Sequence, residues 1–330
     1  MKRVLVTGGT GFLGRHLVAH LRRSEPDTRL RLLCHASTPA VDDAAIEVIR
    51  GDVSDPASVL RAMEEVDQVY HLAGRVSQRQ VDERPLFAIH VEGARNVCAA
   101  AARHRPDRLV FVSTSGIIAI SRRPVLHHEG AAYPYKLVSR WPYYLTKIFA
   151  EKVALQATSE RGLPTVVVNP TLVLGPSGGP TSSNAMIAPF QDARLPFVPR
   201  GGLSFVDVRD VAAILPAAAL RGRVGQRYLL TAANMSFRQL TSRLGALAGR
   251  PTRRVPSLPT PLVRDVAQVL RLLPAAAQAA LFDPRGLEMS TCFWYADASK
   301  ARAELGFAPR DPSETLVAAM CDLQRAEAAR

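Results

Sequence analysis

Apolar residues along this chain fall into short runs separated by stretches with helical spacing. Val4-Leu5-Val6 lies within a run from Lys2 to Thr7, and Phe12, Leu13, Leu17, Val18 and Leu21 then recur at the spacing of an amphipathic helix. Leu30–Cys34 reads as a second strand and Ile46–Arg50 as a third, ending in Gly51-Asp52. Asp55-Pro56 opens the next helix, with Asp55 as cap and Pro56 in the first turn. Val69–Leu72 is a fourth strand ending at Ala73-Gly74, and Arg84–His104 a long helix. Leu109–Ser113, a helix over Trp141–Arg161 and a strand at Thr165–Val168 complete the series. Strands that alternate with helices need right-handed crossovers, which predicts an α/β chain: a Rossmann-type, doubly wound parallel sheet.

The texture changes after Pro170. Residues 175–203 carry many glycines, prolines and serines, as loops over a ligand cleft would. Phe205–Val208 and Tyr228–Leu230 read as strands returning to the sheet. Leu258–Pro284 is apolar and alanine-rich, and serves either as helix packing or as one wall of a greasy pocket. Asp311-Pro312-Ser313-Glu314 is a capped start for the last helix. The expected division is a dinucleotide-binding domain over 1–170, with a return segment at about 204–232. A smaller, mainly helical C-terminal substrate lobe takes 171–203 and 233–330. No internal repeat or low-complexity tail interrupts this plan.

Composition narrows the classes. A chain of 330 residues with 47% hydrophobic and 22% charged residues builds a globular core, and at this size two lobes are the usual outcome. No uninterrupted apolar run reaches the roughly 20 residues of a bilayer span. Met1-Lys2-Arg3 followed by an apolar run looks superficially like a leader, but the run is short and ends in glycines, so a strand is expected. Cys34, Cys98, Cys292 and Cys321 are scattered, with no Cys-x-x-Cys pair, as in a reduced cytoplasmic protein. The net charge of +13 comes almost wholly from arginine, since the chain has five lysines, and no basic block or basic–aromatic interleaving accompanies it. That argues against nucleic acid: arginine spread this way is usually solvated surface, with attraction of a phosphorylated cofactor or acidic substrate as the alternative.

Three groupings carry chemistry. The first is Thr7-Gly8-Gly9-Thr10-Gly11-Phe12-Leu13-Gly14, where a strand breaks and reopens as a helix. Gly8 permits the turn, Gly11 lets backbone approach a pyrophosphate and Gly14 lets the helix pack on its strand, while the helix N-terminus faces the anion. The second is Tyr143 and Lys147, four apart on one helical face. A phenol that exchanges a proton near pH 7 needs a shift of about 3 units, roughly 4 kcal/mol, from its free value. An ammonium about 4 Å away at an effective dielectric near 20 supplies a term of that order. The third is Ser113-Thr114-Ser115-Gly116 at the end of the fifth strand. Hydroxyls there either reach a substrate beyond the strand ends or cap a turn.

Together these residues resemble the short-chain dehydrogenase/reductase superfamily. The glycine turn, Gly51-Asp52-Val53, His71-Leu72-Ala73-Gly74, Ser113-Thr114-Ser115 and the Tyr143/Lys147 pair carry the likeness. Asn169-Pro170, Gly175-Pro176 and Ser204-Phe205-Val206-Asp207-Val208-Arg209-Asp210-Val211 are similar to its extended branch, the NAD-dependent epimerase/dehydratase group, and most to members resembling dihydroflavonol-4-reductase and 3β-hydroxysteroid dehydrogenase. The resemblance implies Ser115 as the catalytic serine, Tyr143 as the acid/base and Lys147 as the lysine that also holds the nicotinamide ribose. It places Gly8, Thr10, Gly11, Phe12, Leu13 and Gly14 at the phosphates, Asp52 and Val53 by the adenine, Ala73 and Gly74 along the cofactor, and Pro170 and Val173 beside the nicotinamide. Relatives are often homodimers. Two departures stand out: Gly202-Leu203-Ser204 occupies the place of an arginine that binds nucleotide phosphate in sugar-nucleotide epimerases, and His90 replaces a common asparagine.

Cofactor choice turns on the end of the second strand. Leu32-Leu33-Cys34-His35-Ala36-Ser37 has no acid to grip a ribose 2′-hydroxyl, and His35 falls where relatives preferring NADP often place arginine. The expectation is therefore NADP(H) preferred, with NAD(H) possible. The expected activity is ketone–alcohol interconversion on a mid-sized apolar substrate. A nucleotide-sugar epimerase or dehydratase with tightly bound NAD is the alternative among enzymes. A catalytically silent dinucleotide sensor is the alternative outside them, disfavoured by the intact tyrosine–lysine pair.

Overall fold

The structure is a computed structural model that describes residues 1–37, 43–76, 84–177, 181–191, 197–249, 256–272 and 284–328. Seven strands form one parallel sheet: β1 (Arg3–Thr7), β2 (Arg29–Cys34), β3 (Ile46–Arg50), β4 (Gln68–His71), β5 (Arg108–Val112), β6 (Thr165–Pro170) and β10 (Arg227–Leu230). Their order is β10-β6-β5-β4-β1-β2-β3, which reverses direction across β1 and β4, the switch that opens a crevice beyond the strand ends. Helices α1 (Phe12–Ser24), α2 (Pro56–Ala62), α3 (Gly93–His104), α4 (Pro142–Arg161) and α5 (Val208–Arg221) cover the two faces.

The strand pleat explains the two-sided core. Val4 and Val6 of β1 point to one face, where they join Leu30, Val110 and Val168 against Leu17, Val18 and Leu21 of α1 and Val211 and Leu215 of α5. Leu5 points to the other, with Leu33, Val69, Leu109 and Phe111 against Val59 of α2, Val97 and Ala101 of α3 and Ala154 of α4. Each such aliphatic side chain contributes roughly 1.5–3 kcal/mol by leaving water. Local signals set the helix starts as expected. Asp55 accepts from the Ala57 and Ser58 amides ahead of Pro56, and Asp311 accepts from the Ser313 amide at 2.7 Å ahead of the last helix.

One expectation is refined and another corrected. The chain is helical from Arg84 to His104 as expected, but Arg84–Phe87 runs into a π-helical turn, Ala88–Glu92, before α3. The extra residue in the π turn rotates His90 into the interior. Of the two strands expected to return to the sheet, only the one containing Tyr228–Leu230 does so. Phe205 lies in β9 (Gly202–Asp207), which pairs with β7 (Leu172–Leu174) and β11 (Ala233–Ser236) in a separate sheet. β8 (Val198–Pro199), within the expected loop region, pairs with β12 (Ser257–Leu258) in a two-stranded patch.

The C-terminal half adds α6 (Phe237–Leu247), α7 (Thr260–Arg271), α8 (Ser299–Leu305) and α9 (Pro312–Ala328). Of the alanine-rich stretch, residues 273–283 lie outside the described residues, and α7 is its described helix. No helix among the described residues is long and apolar enough to cross a membrane.

Candidate active site

Because the sheet is parallel, the carboxyl ends of its strands lie along one edge, and the sequence candidates gather there. The Gly8–Gly14 turn follows β1, His35 follows β2, Asp52 and Val53 follow β3, Ala73 and Gly74 follow β4, Thr114 and Ser115 follow β5, and Pro170 closes β6. Val173 lies on β7 opposite Val206.

The turn after β1 is made by backbone contacts that tolerate no side chain. Gly8 has φ +73°, and a Cβ there would stand 2.8 Å from the Ala73 nitrogen. A Cβ on Gly14 would stand 2.0 Å from the Gly8 carbonyl oxygen. Gly11 caps α1 without a side-chain hydrogen bond, so no side chain covers the N–H groups of the first turn. Thr10, Phe12 and Leu13 are half-buried beside it. A close strand-to-helix turn with an uncapped helix start fits the pyrophosphate of a dinucleotide. Thr7 locks the neighbouring loop: its hydroxyl accepts from the Ala73 amide at 3.2 Å and shares a 2.8 Å hydrogen bond with His71 Nδ1.

At the ribose end, His35 is exposed and its Nε2 lies 3.6 Å from an Asp52 carboxylate oxygen. Arg50, paired in register with Cys34, donates from Nη1 to the Ser37 carbonyl at 3.3 Å. Arg50 was not among the residues expected from the sequence, because it sits on β3 while the signal sought there lies on β2.

Around Tyr143 the geometry differs from expectation in two respects. The hydroxyl hydrogen-bonded to Tyr143 is that of Thr114, the neighbour of Ser115, which the resemblance makes the serine that orients the substrate carbonyl. Thr114 is extended (φ −151°, ψ 146°), and its hydroxyl also accepts from the Gly116 amide at 3.3 Å; Ser115 already starts a 3₁₀ turn, Ser115–Ile117, and its carbonyl accepts from the Ile118 and Ala119 amides. Nor is the phenol made acidic. Burial pushes Tyr143 up to about 12, against which the Thr114 hydrogen bond works. Lys147 is itself buried and turned to the end of β5, where Nζ donates to the Val112 carbonyl at 3.1 Å. Desolvation lowers its ammonium to about 8, opposed by Glu151.

Two buried histidines flank this lysine, and both are driven down to about 3 by burial and by the Lys147 charge. His71 and His90 are therefore neutral. The Arg75 amide donates to His90 Nε2 at 3.1 Å, which leaves the proton on Nδ1 to donate to Thr146 Oγ1 at 2.8 Å. Thr146 passes its own hydrogen to the Pro142 and Tyr143 carbonyls at 2.9 and 3.0 Å. His90 also lies edge-on to the Tyr143 ring, with centroids 5.6 Å apart. On the other side of Tyr143 stand Tyr144, Trp141 and Trp294, the last two stacked at 5.8 Å.

Comparison with known proteins matches residues 4–230 to the NAD dependent epimerase/dehydratase family. The chain is 31% identical to sterol demethylase protein B of Methylococcus capsulatus over 92% of its length and 93% of that protein. It is 30% identical to a putative dihydroflavonol 4-reductase of Synechocystis, over 96% of this chain and 92% of the other. Among solved structures, gox2253 superposes with a TM-score of 0.83 at 27% identity, covering 98% of both chains.

Proposed function

The chain belongs to the NAD dependent epimerase/dehydratase family, and we propose that it is an oxidoreductase interconverting a ketone and a secondary alcohol on a mid-sized apolar substrate, with NADP(H) preferred. The observation that carries this reading is the Thr114–Tyr143 hydrogen bond beside the buried Lys147, at the strand edge that also bears the glycine turn. A bound dinucleotide supplies the hydride for such an exchange. Tyr143, held protonated at neutral pH, gives its hydroxyl proton to the substrate oxygen. Thr114, in place of Ser115, orients that oxygen, and Lys147 offsets the negative charge left on the phenol.

An apolar substrate fits the neighbours of Tyr143. Ile117, Ile118, Trp141, Tyr144 and Trp294 form one hydrophobic cluster with it. The relatives' names point to a sterol and a dihydroflavonol, both ring systems of such size. A sugar-nucleotide substrate finds less support. Where an arginine would bind its phosphate, Gly202 is buried, and a Cβ there would meet the Tyr295 hydroxyl at 2.3 Å. NADP(H) is favoured by Arg50 with His35 and Ser37 at the adenosine ribose end, against the opposing carboxylate of Asp52.

A panel of steroid-like, flavonoid-like and β-keto acyl carbonyls, followed by NADPH absorbance, tests the activity. Tyr143→Phe is expected to lower kcat by roughly 10³-fold while leaving NADPH binding unchanged. A near-normal rate in that variant overturns the assignment.

A further inference from the structure

Behind the Thr114 turn lies a buried charge that the chemistry above does not use. Glu151 is one turn beyond Lys147 on α4 and has no exposed surface. Its Oε1 accepts from Arg227 Nε at 2.7 Å and from the Tyr133 hydroxyl at 3.0 Å. Its Oε2 accepts from Asn169 Nδ2 at 2.7 Å. Asn169, itself fully buried on β6, also donates from Nδ2 to the Thr114 carbonyl at 3.2 Å. Arg227 enters from β10: it stacks over the Tyr133 ring at 4.7 Å and donates to the Tyr133 hydroxyl and the Glu129 carbonyl. A continuous line of hydrogen bonds thus runs from the outermost strand, through a buried carboxylate, to the turn whose hydroxyl meets Tyr143.

We propose that Glu151 is a positioning residue for the site, fixing the Thr114 turn through Asn169 and facing the Lys147 ammonium as its counter-charge. The inference rests on the Thr114–Tyr143–Lys147 reading above. Residues four apart on a helix are neighbours, and among the described residues no other acid bears on Lys147 from the elements packed against it. β4 offers His71, the π turn offers His90, both neutral, and β5 offers the Val112 carbonyl and the Phe111 ring, 5.8 Å from Nζ. On α4 itself the remaining titratable neighbours are the phenols of Tyr143 and Tyr144. Around Glu151 stand Arg227, Tyr133 and the Asn169 amide, all three donating to its carboxylate. An ion pair serving stability alone would not need its second oxygen tied to the turn that carries a reacting hydroxyl.

With five lysines in the chain, ¹³Cε-lysine NMR resolves Lys147 directly, assigned by its loss in Lys147→Met. Glu151→Gln is expected to move the Lys147 midpoint down by about one unit, leaving the other four in place. The alkaline limb of kcat/KM for carbonyl reduction is expected to follow, with NADPH affinity unchanged. An unmoved midpoint in folded Glu151→Gln overturns the proposal. Glu151→Asp keeps the charge but shortens the reach, so it should restore the midpoint without restoring kcat. Should Glu151→Gln fail to fold, Asn169→Ala removes the link between Glu151 and the Thr114 carbonyl and leaves Glu151 its Arg227 and Tyr133 partners. It is expected to lower kcat about tenfold with NADPH affinity unchanged, and an unaltered kcat overturns the positioning role. Failure of the underlying function shows differently, as near-normal turnover in Tyr143→Phe.

Discussion

The two ends of the site are built from different materials. The end proposed to face the phosphates is backbone: Gly8, Gly11, Gly14 and the start of α1, all within seven residues of chain. The chemical end is side chain: Thr114, Tyr143, Lys147, Glu151, Asn169 and Arg227, brought together from separate elements. The first is specified by what cannot fit, the second by which buried groups find partners. Consequently the backbone end should be inseparable from stability, while the chemical end should hold groups that stability would be better without.

Gly14→Ala tests the first half and carries the largest expected effect. The added methyl meets the Gly8 carbonyl oxygen at 2.0 Å and the Gly9 Cα at 2.7 Å, backbone atoms on a turn wedged against Ala73. Overpacking against rigid neighbours costs about 1–3 kcal/mol, and this contact belongs at or above the top of that range. α1 must then move off β1, taking its N-terminus away from the phosphates. Denaturant unfolding should show the loss, and NADPH should no longer raise the melting temperature. A variant with a wild-type midpoint and an intact NADPH shift would break the comparison at this end.

Lys147→Met tests the other half and should have the opposite sign in stability. Burial lowers the ammonium from 10.5 to about 8, equivalent to about 3 kcal/mol disfavouring the charged form in the fold. The folded protein binds fewer protons than the unfolded chain between those two values. The penalty is therefore complete below pH 8 and fades as pH rises towards 10.5. Methionine removes the charge and leaves the Val112 carbonyl without that donor, so a net gain of about 1–2 kcal/mol is expected at pH 7. The gap to wild type should close near pH 9 and reverse by about pH 10.5, and carbonyl reduction should fall by roughly 10²-fold or more. Wild-type reduction should itself decline above about pH 8, as Lys147 loses its proton while Tyr143 keeps its own. Thermal melts from pH 6 to 10.5 and a pH–rate profile check both statements; a destabilised methionine variant at pH 7 would contradict them.

The same contrast explains what could be read from the residues alone. Cradle, caps and strand positions depend on neighbours in sequence, so Gly8–Gly14, Asp55-Pro56 and Asp311 were legible. The π turn at Ala88–Glu92 was not, because one added residue hardly disturbs a helical apolar pattern. Phe205 alternates equally well in either sheet, and pairing with Ala233 decided the matter. Three consecutive residues at the end of β5 offer hydroxyls, and the one that meets Tyr143 is Thr114, where the strand gives way to the 3₁₀ turn. Tyr143 and Lys147 announced themselves by spacing, yet their protonation depends on burial, which spacing does not convey. Glu151 reads as an ordinary helix-surface acid, since its partner Arg227 lies 76 residues away.

Arg50→Ala sharpens the comparison at its boundary, where the backbone-built end turns to side-chain charge for selectivity. On the proposed function the glycine turn and α1 would hold the pyrophosphate common to both dinucleotides, so they would not distinguish them. Arg50 can, because its register opposite Cys34 brings the guanidinium to the Ser37 carbonyl, beside His35, where β2 ends. An ionic hydrogen bond to a 2′-phosphate is worth about 1.5–3 kcal/mol in a protected site and less in an exposed one, so roughly a tenfold rise in Kd for NADPH is expected. NADH, with a hydroxyl at that position, should bind as before, its affinity resting on the turn and on Asp52. Raising salt should weaken NADPH more than NADH in the wild type and erase that difference in the variant. Equal weakening of both cofactors in a fluorescence titration would mean that Arg50 acts by holding the β2–β3 edge, and selectivity would then have to come from His35 and Asp52 alone.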